Sequence, residues 1–444
     1  TPGKDQDQAD ARATAMAEAL KAAWPAGAAA ASTQAAPGKA GEPEVVDLGN
    51  GRSVVLLPDP TMPYASVTVA FRGGDALLAP TQQGLAELAS RALVSATTTM
   101  DAPKLEDFLA DRAASIGASA GRDTFTLSAR YPQRFAKDVL GALADVATRP
   151  ALAQGDVERA KRLQLAQIAE VSDKPTGLAF RHLFPFLFPG SHYGYFRAGQ
   201  PGEVSGFTPK DVQAFWERQR AMPWIMAVCG QFDRQMILDV AARLAAPAVA
   251  AAPPLAAPAW GDKREEKLTL AERAQTHLFW IFPVAGRESP DAPALEVLRT
   301  ALAGQGGLLF QDLRDKQGLG YTVTAFLWQS PKTGFLAFYI GTTPDKAGQA
   351  MEGFQRIAAD VAAKGLDEAM IARAKNSIEG DYYQEHQSLG SRSQEAALNL
   401  AMGLGLNFDR EMLARVAGLD AQGVADVAKK YLDPSKAYLM KIEP

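Results

Sequence analysis

The chain resembles itself. The strand-like run ASVTVAFRGG (65–74) is answered by THLFWIFPVAG (276–286), and DTFTLSARYP (123–132) by TGFLAFYIGTTP (333–344). The helical pair FAKDVLGALADVAT and VERAKRLQLAQI returns as AGQAMEGFQRIAADVAAKG and IARAKNSIEGDYY. Corresponding pieces lie about 211 to 214 residues apart throughout, so one plan is used twice. In each half the apolar periodicity runs strand, helix, helix, strand, strand, helix, helix, with more helix and a late strand such as PWIMAVCGQF or AYLMKIEP. That order predicts an α+β fold: two homologous domains, each a mainly antiparallel sheet covered on one face by helices.

A length of 444 residues suits such a duplication, because one ordinary core rarely grows so large. Residues 1–43 read as a short helix, DQADARATAMAEALKAAW, followed by an Ala-, Gly- and Pro-rich tether. A second proline-rich stretch, 247–264, has no usable apolar period and reads as a linker between domains at 44–246 and 265–444. The net charge of −4 argues against a nucleic-acid partner. No apolar run approaches a membrane span. The single cysteine, Cys229, excludes an internal disulfide, and its apolar surroundings WIMAVCGQF predict a packed thiol rather than a nucleophile.

The stretch LFQDLRDKQGLGYTVTAF (309–326) begins as a helix and ends as a strand. Leu309 and Leu313 form one apolar stripe, and Arg314 falls in the last turn, where a cation suits the helix dipole. Gly318 is placed to stop the helix in a left-handed conformation, and Gly320 frees the entry into the strand. The turn therefore brings Arg314 and Tyr321 side by side. From spacing alone the plainer reading of this pair is an arginine capping carbonyls beside a tyrosine at a sheet edge.

The run VTVAFRGGD followed by TQQGLAELASRALVSATT (81–98) resembles the pitrilysin-type (M16) zinc peptidase family. Active members carry an inverted H-x-x-E-H motif there on a helix, in which two histidines hold zinc and the glutamate works on the metal-bound water. A further carboxylate about 80 residues downstream completes that site. Here the histidine positions hold Glu87 and Arg91, the base position holds Ser90, and the downstream ligand position falls on Gln167. Arginine cannot ligate zinc and serine has no carboxylate, so no metal is expected on this chain. Glu87 and Arg91, at i and i+4, predict a plain helical ion pair. The four histidines do not replace the lost ligands: His182, His192, His277 and His386 never pair at ligand spacing, although SHYGY around His192 is similar to a family loop.

The resemblance covers nearly everything after residue 44 and includes LFQDLRDKQGLGYTV. It implies that Arg314 and Tyr321 face a zinc site across a clamshell chamber, hold substrate and polarise the carbonyl under attack. The residue types suit those roles, since a phenol donates one hydrogen bond to a developing oxyanion and a guanidinium holds carbonyls or a carboxylate with its planar fork. The family has paired members in which one chain carries H-x-x-E-H and the other the Arg/Tyr pair. The expectation is the second kind: one half of a clamshell, inert alone, working on unfolded peptides with a homologous partner that holds Zn2+. The competing expectations are an inert scaffold or assembly subunit and a peptide-binding protein without hydrolysis. An Ala-rich start without methionine suits an exported, periplasmic protein, with the mitochondrial matrix as the alternative.

Overall fold

Alternating Val, Phe, Thr and Ala residues build two separate sheets in the computed structural model, which describes residues 41–245, 249–270 and 274–444. The helix expected near the start of the chain lies outside these residues. The first half begins β1 (Glu44–Gly49), β2 (Arg52–Pro58), β3 (Tyr64–Arg72), α1 (Leu85–Leu93), α2 (Ala102–Ala110), β4 (Ser115–Ala120) and β5 (Thr124–Pro132). It continues α3 (Ala136–Thr148), α4 (Gln154–Ser172), α5 (Pro175–Leu187), α6 (Pro201–Gly206), α7 (Pro209–Arg220), β6 (Trp224–Gly230) and α8 (Arg234–Leu244). The second half begins β7 (Glu265–Thr269), β8 (Thr276–Ala285), α9 (Ala292–Leu302), a π-helical segment (Phe310–Lys316), β9 (Gly320–Gln329) and β10 (Thr333–Thr342). Four further helices follow, α10 (Ala347–Lys364), α11 (Glu368–Glu385), α12 (Leu389–Ala401) and α13 (Phe408–Ala417), and then α14 (Ala421–Tyr431) and β11 (Tyr438–Glu443).

The strand orders are β1-β2-β6-β3-β5-β4 and β7-β11-β8-β10-β9. Each sheet has one parallel pair, β2 with β6 and β7 with β11, and is otherwise antiparallel. The repeat is thus a repeat of topology: β3, β5 and β4 correspond to β8, β10 and β9, and β4 and β9 form equivalent edges.

Burial along the central strands goes beyond the expected one covered face. Every residue of β10 and the seven middle residues of β3 are buried, which requires cover on both sides of the sheet. One side of each sheet carries helices of its own half: α1, α3 and α7 supply core residues over the first, and α9, α10 and α14 over the second. The other side is covered by a helix from the opposite half. Ala179, Leu183 and Leu187 of α5 pack with Phe279, Ile281, Phe335 and Tyr438 of the second sheet. Ala396, Ala397 and Ala401 of α12 pack with Val55, Ala70 and Ala227 of the first. Ser393 of α12 meets Thr68 Oγ1 at 3.1 Å and donates to Ser66 Oγ at 3.2 Å, so the polar atoms of this contact are paired where they are buried.

This exchange makes residues 40–444 one compact unit. The proline-rich stretch after residue 248 is laid against the body rather than hanging free as a tether. Trp260 packs on Phe188 and Tyr438, with ring centroids 4.8 and 5.3 Å apart. Gly261 bonds through its N–H to Leu187 O and through its carbonyl to the Tyr438 hydroxyl. Cys229 lies fully buried on β6, where burial pushes its thiol up to about 11.

Candidate functional site: one closed corner and one open corner

The four positions Glu87, Ser90, Arg91 and Gln167 come from α1 and α4. The first turn of α1 is set by Gly84, whose φ of +87° suits glycine and whose Cα sits where any side chain would meet Ala198 O at 2.7 Å. Gln164 holds the same junction from α4 by donating to Gly84 O at 3.0 Å and Ala198 O at 2.7 Å. One turn further on, α4 presents Gln167. The Arg91 guanidinium reaches Glu87 at 2.8 Å and Gln167 Oε1 at 2.5 Å, and Ser90 donates to the Glu87 carbonyl at 2.8 Å.

The fold therefore gathers Glu87, Arg91 and Gln167 at one point. Their chemistry does not fit a zinc ion. Arg91, a permanent cation, itself bridges the groups a metal would join, and Ser90 turns its hydroxyl back on its own helix. Among the described residues no cluster of three or more His, Cys, Asp or Glu could hold a metal. No metal-dependent step is assigned to this corner.

Arg314 and Tyr321 are also brought together. The expected α-helix is a π-helical segment instead, a wider turn often found at functional positions. It keeps Leu309 and Leu313 fully buried while Arg314 is only half-buried. Gly318 ends it at φ +63°, as the sequence predicts, and Gly320 is required because a Cβ there would lie 2.3 Å from Gly341 O. The loop is tied down by three contacts: Arg356 grips Asp312 at 2.7 and 3.2 Å, Lys346 donates to Gly318 O at 3.0 Å, and Thr342 donates to Leu319 O at 2.5 Å.

On this fixed loop the Arg314 guanidinium stacks between two rings, 4.4 Å from Phe310 and 4.4 Å from Tyr321. One of its N–H groups donates to Tyr321 O at 3.1 Å. Tyr321 itself is 76% exposed near the start of β9, more open than is usual for a tyrosine. Both heads thus stand at the surface with hydrogen-bonding capacity to spare.

The histidines are structural where their contacts are described. His192 Nε2 lies 2.9 Å from Asp123, which also accepts from Tyr193 at 2.7 Å. His277 Nδ1 faces the Tyr339 hydroxyl at 3.0 Å. His386 bonds to Tyr382 O at 2.6 Å and also pairs with Glu395 at the C-terminal end of α11.

Sequence patterns gave little warning of the buried charges near the end of β3 and the β4–β5 hairpin. Asp75, after β3, is almost fully buried, and burial pushes its carboxyl up to about 7 against the pull of Arg197 and Arg122. Burial also pushes Arg122 down to about 10. The only signals were a charged pair, Arg122–Asp123, at the tip of a hairpin and a lone Asp in FRGGD.

Comparison with known proteins identifies the fold. Residues 53–195 match the model of insulinase (peptidase family M16), and residues 207–378 that of the peptidase M16 inactive domain. The chain is 26% identical over 400 residues to an uncharacterized zinc protease of Mycobacterium tuberculosis, covering 88% of this chain and 91% of that one. It is 20% identical over 378 residues to the non-peptidase homolog YmxG of Helicobacter pylori, covering 84% and 87%. Among solved structures, the peptidase M16 inactive domain from Pseudomonas fluorescens superposes with a TM-score of 0.81 at 19% identity, covering 91% of this chain and 98% of that one. A protease from Helicobacter pylori gives 0.80 at 15% identity, covering 91% and 99%. With both halves matched by models of one family and the duplicated fold shared across whole chains, this protein belongs to the M16 peptidase family.

Proposed function

We propose that this chain is the non-metal subunit of a two-chain zinc endopeptidase, acting on unfolded peptides with a homologous partner that carries H-x-x-E-H. The contrast between the two corners carries this reading. Where zinc would bind, Arg91 closes the site on Glu87 and Gln167. Where substrate would be held, the half-buried Arg314 and the exposed Tyr321 stand together on a loop tied down by three separate contacts. Rigid support is what a positioning site needs.

In the assembled enzyme the partner supplies the metal. The residues of this chain bind and orient: the Arg314 fork donates to peptide carbonyls, and the Tyr321 hydroxyl donates to the scissile carbonyl oxygen as negative charge develops on it. The test mixes this chain with an H-x-x-E-H homologue and follows cleavage of an unstructured peptide. The chain alone is inactive. Tyr321→Phe, which deletes the donor and keeps the ring under Arg314, lowers kcat of the mixture by about 10^2 to 10^3, equivalent to about 2.7–4 kcal/mol. Arg314→Ala raises KM as well. Unchanged turnover in both variants would falsify the assigned role.

A second reading, a scaffold that kept the fold and gave up catalysis, draws support from the relative named a non-peptidase homolog. It predicts a stable complex with the partner and no cleavage by the mixture.

A further inference from the structure

The guanidinium groups of Arg91 and Arg314 are held in opposite ways. Arg91 is held by its edge, because its Nη2 donates to both Glu87 and Gln167. Arg314 is held by its faces, with the ring centroids of Phe310 and Tyr321 each 4.4 Å from its guanidinium carbon. Stacking and hydrogen bonding use different parts of the group, since the donors lie in its plane and rings cover its faces. Among the described residues the one hydrogen bond of Arg314 runs to Tyr321 O at 3.1 Å, and no carboxylate pairs with it. The carboxylate two positions earlier, Asp312, is occupied by Arg356 at 2.7 and 3.2 Å and by Gln317 at 2.5 Å. The fork of Arg314 therefore keeps its charge and most of its donors.

Phe310 has the footing for such a hold. It opens the π-helical segment, one turn before Arg314, and is half-buried. Its neighbour Leu309 and the next apolar position, Leu313, are fully buried, so the backbone that carries the ring is anchored in the core. Tyr321 reaches the other face of the guanidinium from a different element, β9. The cation is thus clamped between a helix ring and a strand ring.

We propose that Phe310 is the positioning residue of this corner: its ring fixes the plane of Arg314 and leaves the fork charged and open. The proposal rests on the role given to Arg314 above and adds a residue that acts only through it. A long side chain loses rotamer freedom when a ligand fixes it, and a ring that holds it beforehand lowers that loss on binding. A carboxylate in the place of Phe310 would hold the arginine equally well but would consume the fork, as Glu87 does for Arg91. An aromatic anchor avoids that conflict.

Two measurements test it, one without the partner and one with it. In the isolated chain, nuclear magnetic relaxation of the Arg314 Nε–H group, assigned by its loss in Arg314→Ala, reports how firmly the guanidinium is held. Phe310→Leu keeps apolar bulk, removes the ring and lowers the order parameter below about 0.6, while Phe310→Tyr leaves it as in the wild type. In the mixture with an H-x-x-E-H homologue, Phe310→Leu raises KM about threefold to thirtyfold, the range of a cation–π contact, and keeps kcat within about twofold. Phe310→Tyr restores KM. On an Arg314→Ala background Phe310→Leu has no further effect on KM, because the ring acts through the arginine. An unaltered order parameter in Phe310→Leu, an unchanged KM, or a KM effect of equal size with and without Arg314 would each overturn the proposal. A mixture that cleaves nothing with any variant would remove the function proposed above, and the positioning is then decided by the relaxation measurement.

Discussion

The two halves use one topology and finish it with different chemistry. The exchanged helix of the first half reads PTGLAFRHLFPFL, and its counterpart from the second reads LGSRSQEAALNLA. The first interlocks large rings: Phe184 lies 5.2 Å from Trp328 and 5.7 Å from Phe335, and Phe186 lies 5.7 Å from Tyr438. The second lays alanine on alanine, with Ser393 hydrogen-bonded to the sheet below it. Aromatic contact buries more area per residue, while small residues bring the helix backbone close and fix its position through polar pairs. The corners differ in the same spirit. The first half closes its corner with Arg91, and the second holds Arg314 and Tyr321 open. A duplicated fold can thus keep its frame in both copies while each copy puts its side chains to different use.

The largest expected effect comes from the aromatic seam. Phe188, fully buried at the end of α5, touches Trp260, Tyr193 and Trp328. Phe188→Ala lowers the unfolding free energy by about 3–5 kcal/mol in urea denaturation. At the alanine seam the vulnerable change runs the other way. Ala397→Leu overfills a contact that has no room and costs about 1–3 kcal/mol. If Ala397→Leu is harmless, the helix is not held close to the first sheet and the contrast between the seams is lost.

The next effect is read by pH at the buried charges beside the end of β3. Asp75 is held up to about 7 in the folded chain, against an ordinary value near 3.8. Between those values the native state holds a proton that the unfolded chain releases, so the contribution of Asp75 is most favourable below about pH 4 and falls as pH rises to about 7. The full loss is at most about 4 kcal/mol, at about 1.36 kcal/mol per pH unit. Asp75→Asn removes the titration, so its stability relative to the wild type rises across this window in denaturation curves taken at several pH values. A difference that stays constant with pH would mean that Asp75 is ionised against Arg197 and that the two form a true ion pair.

How much of this was legible beforehand follows from which signals are local. The Gly318 stop and the burial of Cys229 could be read from residues close together in sequence, and the α+β class and the duplication from the order of strand- and helix-like runs repeated along the chain. The π-helical form of 310–316 could not, because an α-turn and a π-turn share the same Leu309–Leu313 stripe. Helix exchange was also hidden. The aromatic residues of α5 and the alanines of α12 announce burial but not against which sheet, and that is settled by pairing across more than a hundred residues. The Arg122, Arg197 and Arg287 cluster was invisible for the same reason: its members are scattered arginines until the seam closes.

The smallest expected effect is the most discriminating test of the two corners. Arg91 and Glu87 are partly exposed and one helical turn apart, so Arg91→Ala changes stability by only about 0.3–0.5 kcal/mol. Its hydrogen bonds tie α1 to α4, and the neighbouring junction keeps its own support from Gln164. Turnover of the mixture with an H-x-x-E-H partner should therefore stay within about twofold of the wild type, where Tyr321→Phe costs at least about a hundredfold. A loss in Arg91→Ala as large as that in Tyr321→Phe would show that the closed corner touches substrate. The first half would then be a second binding surface rather than a lock, and the division of labour between the copies would have to be redrawn.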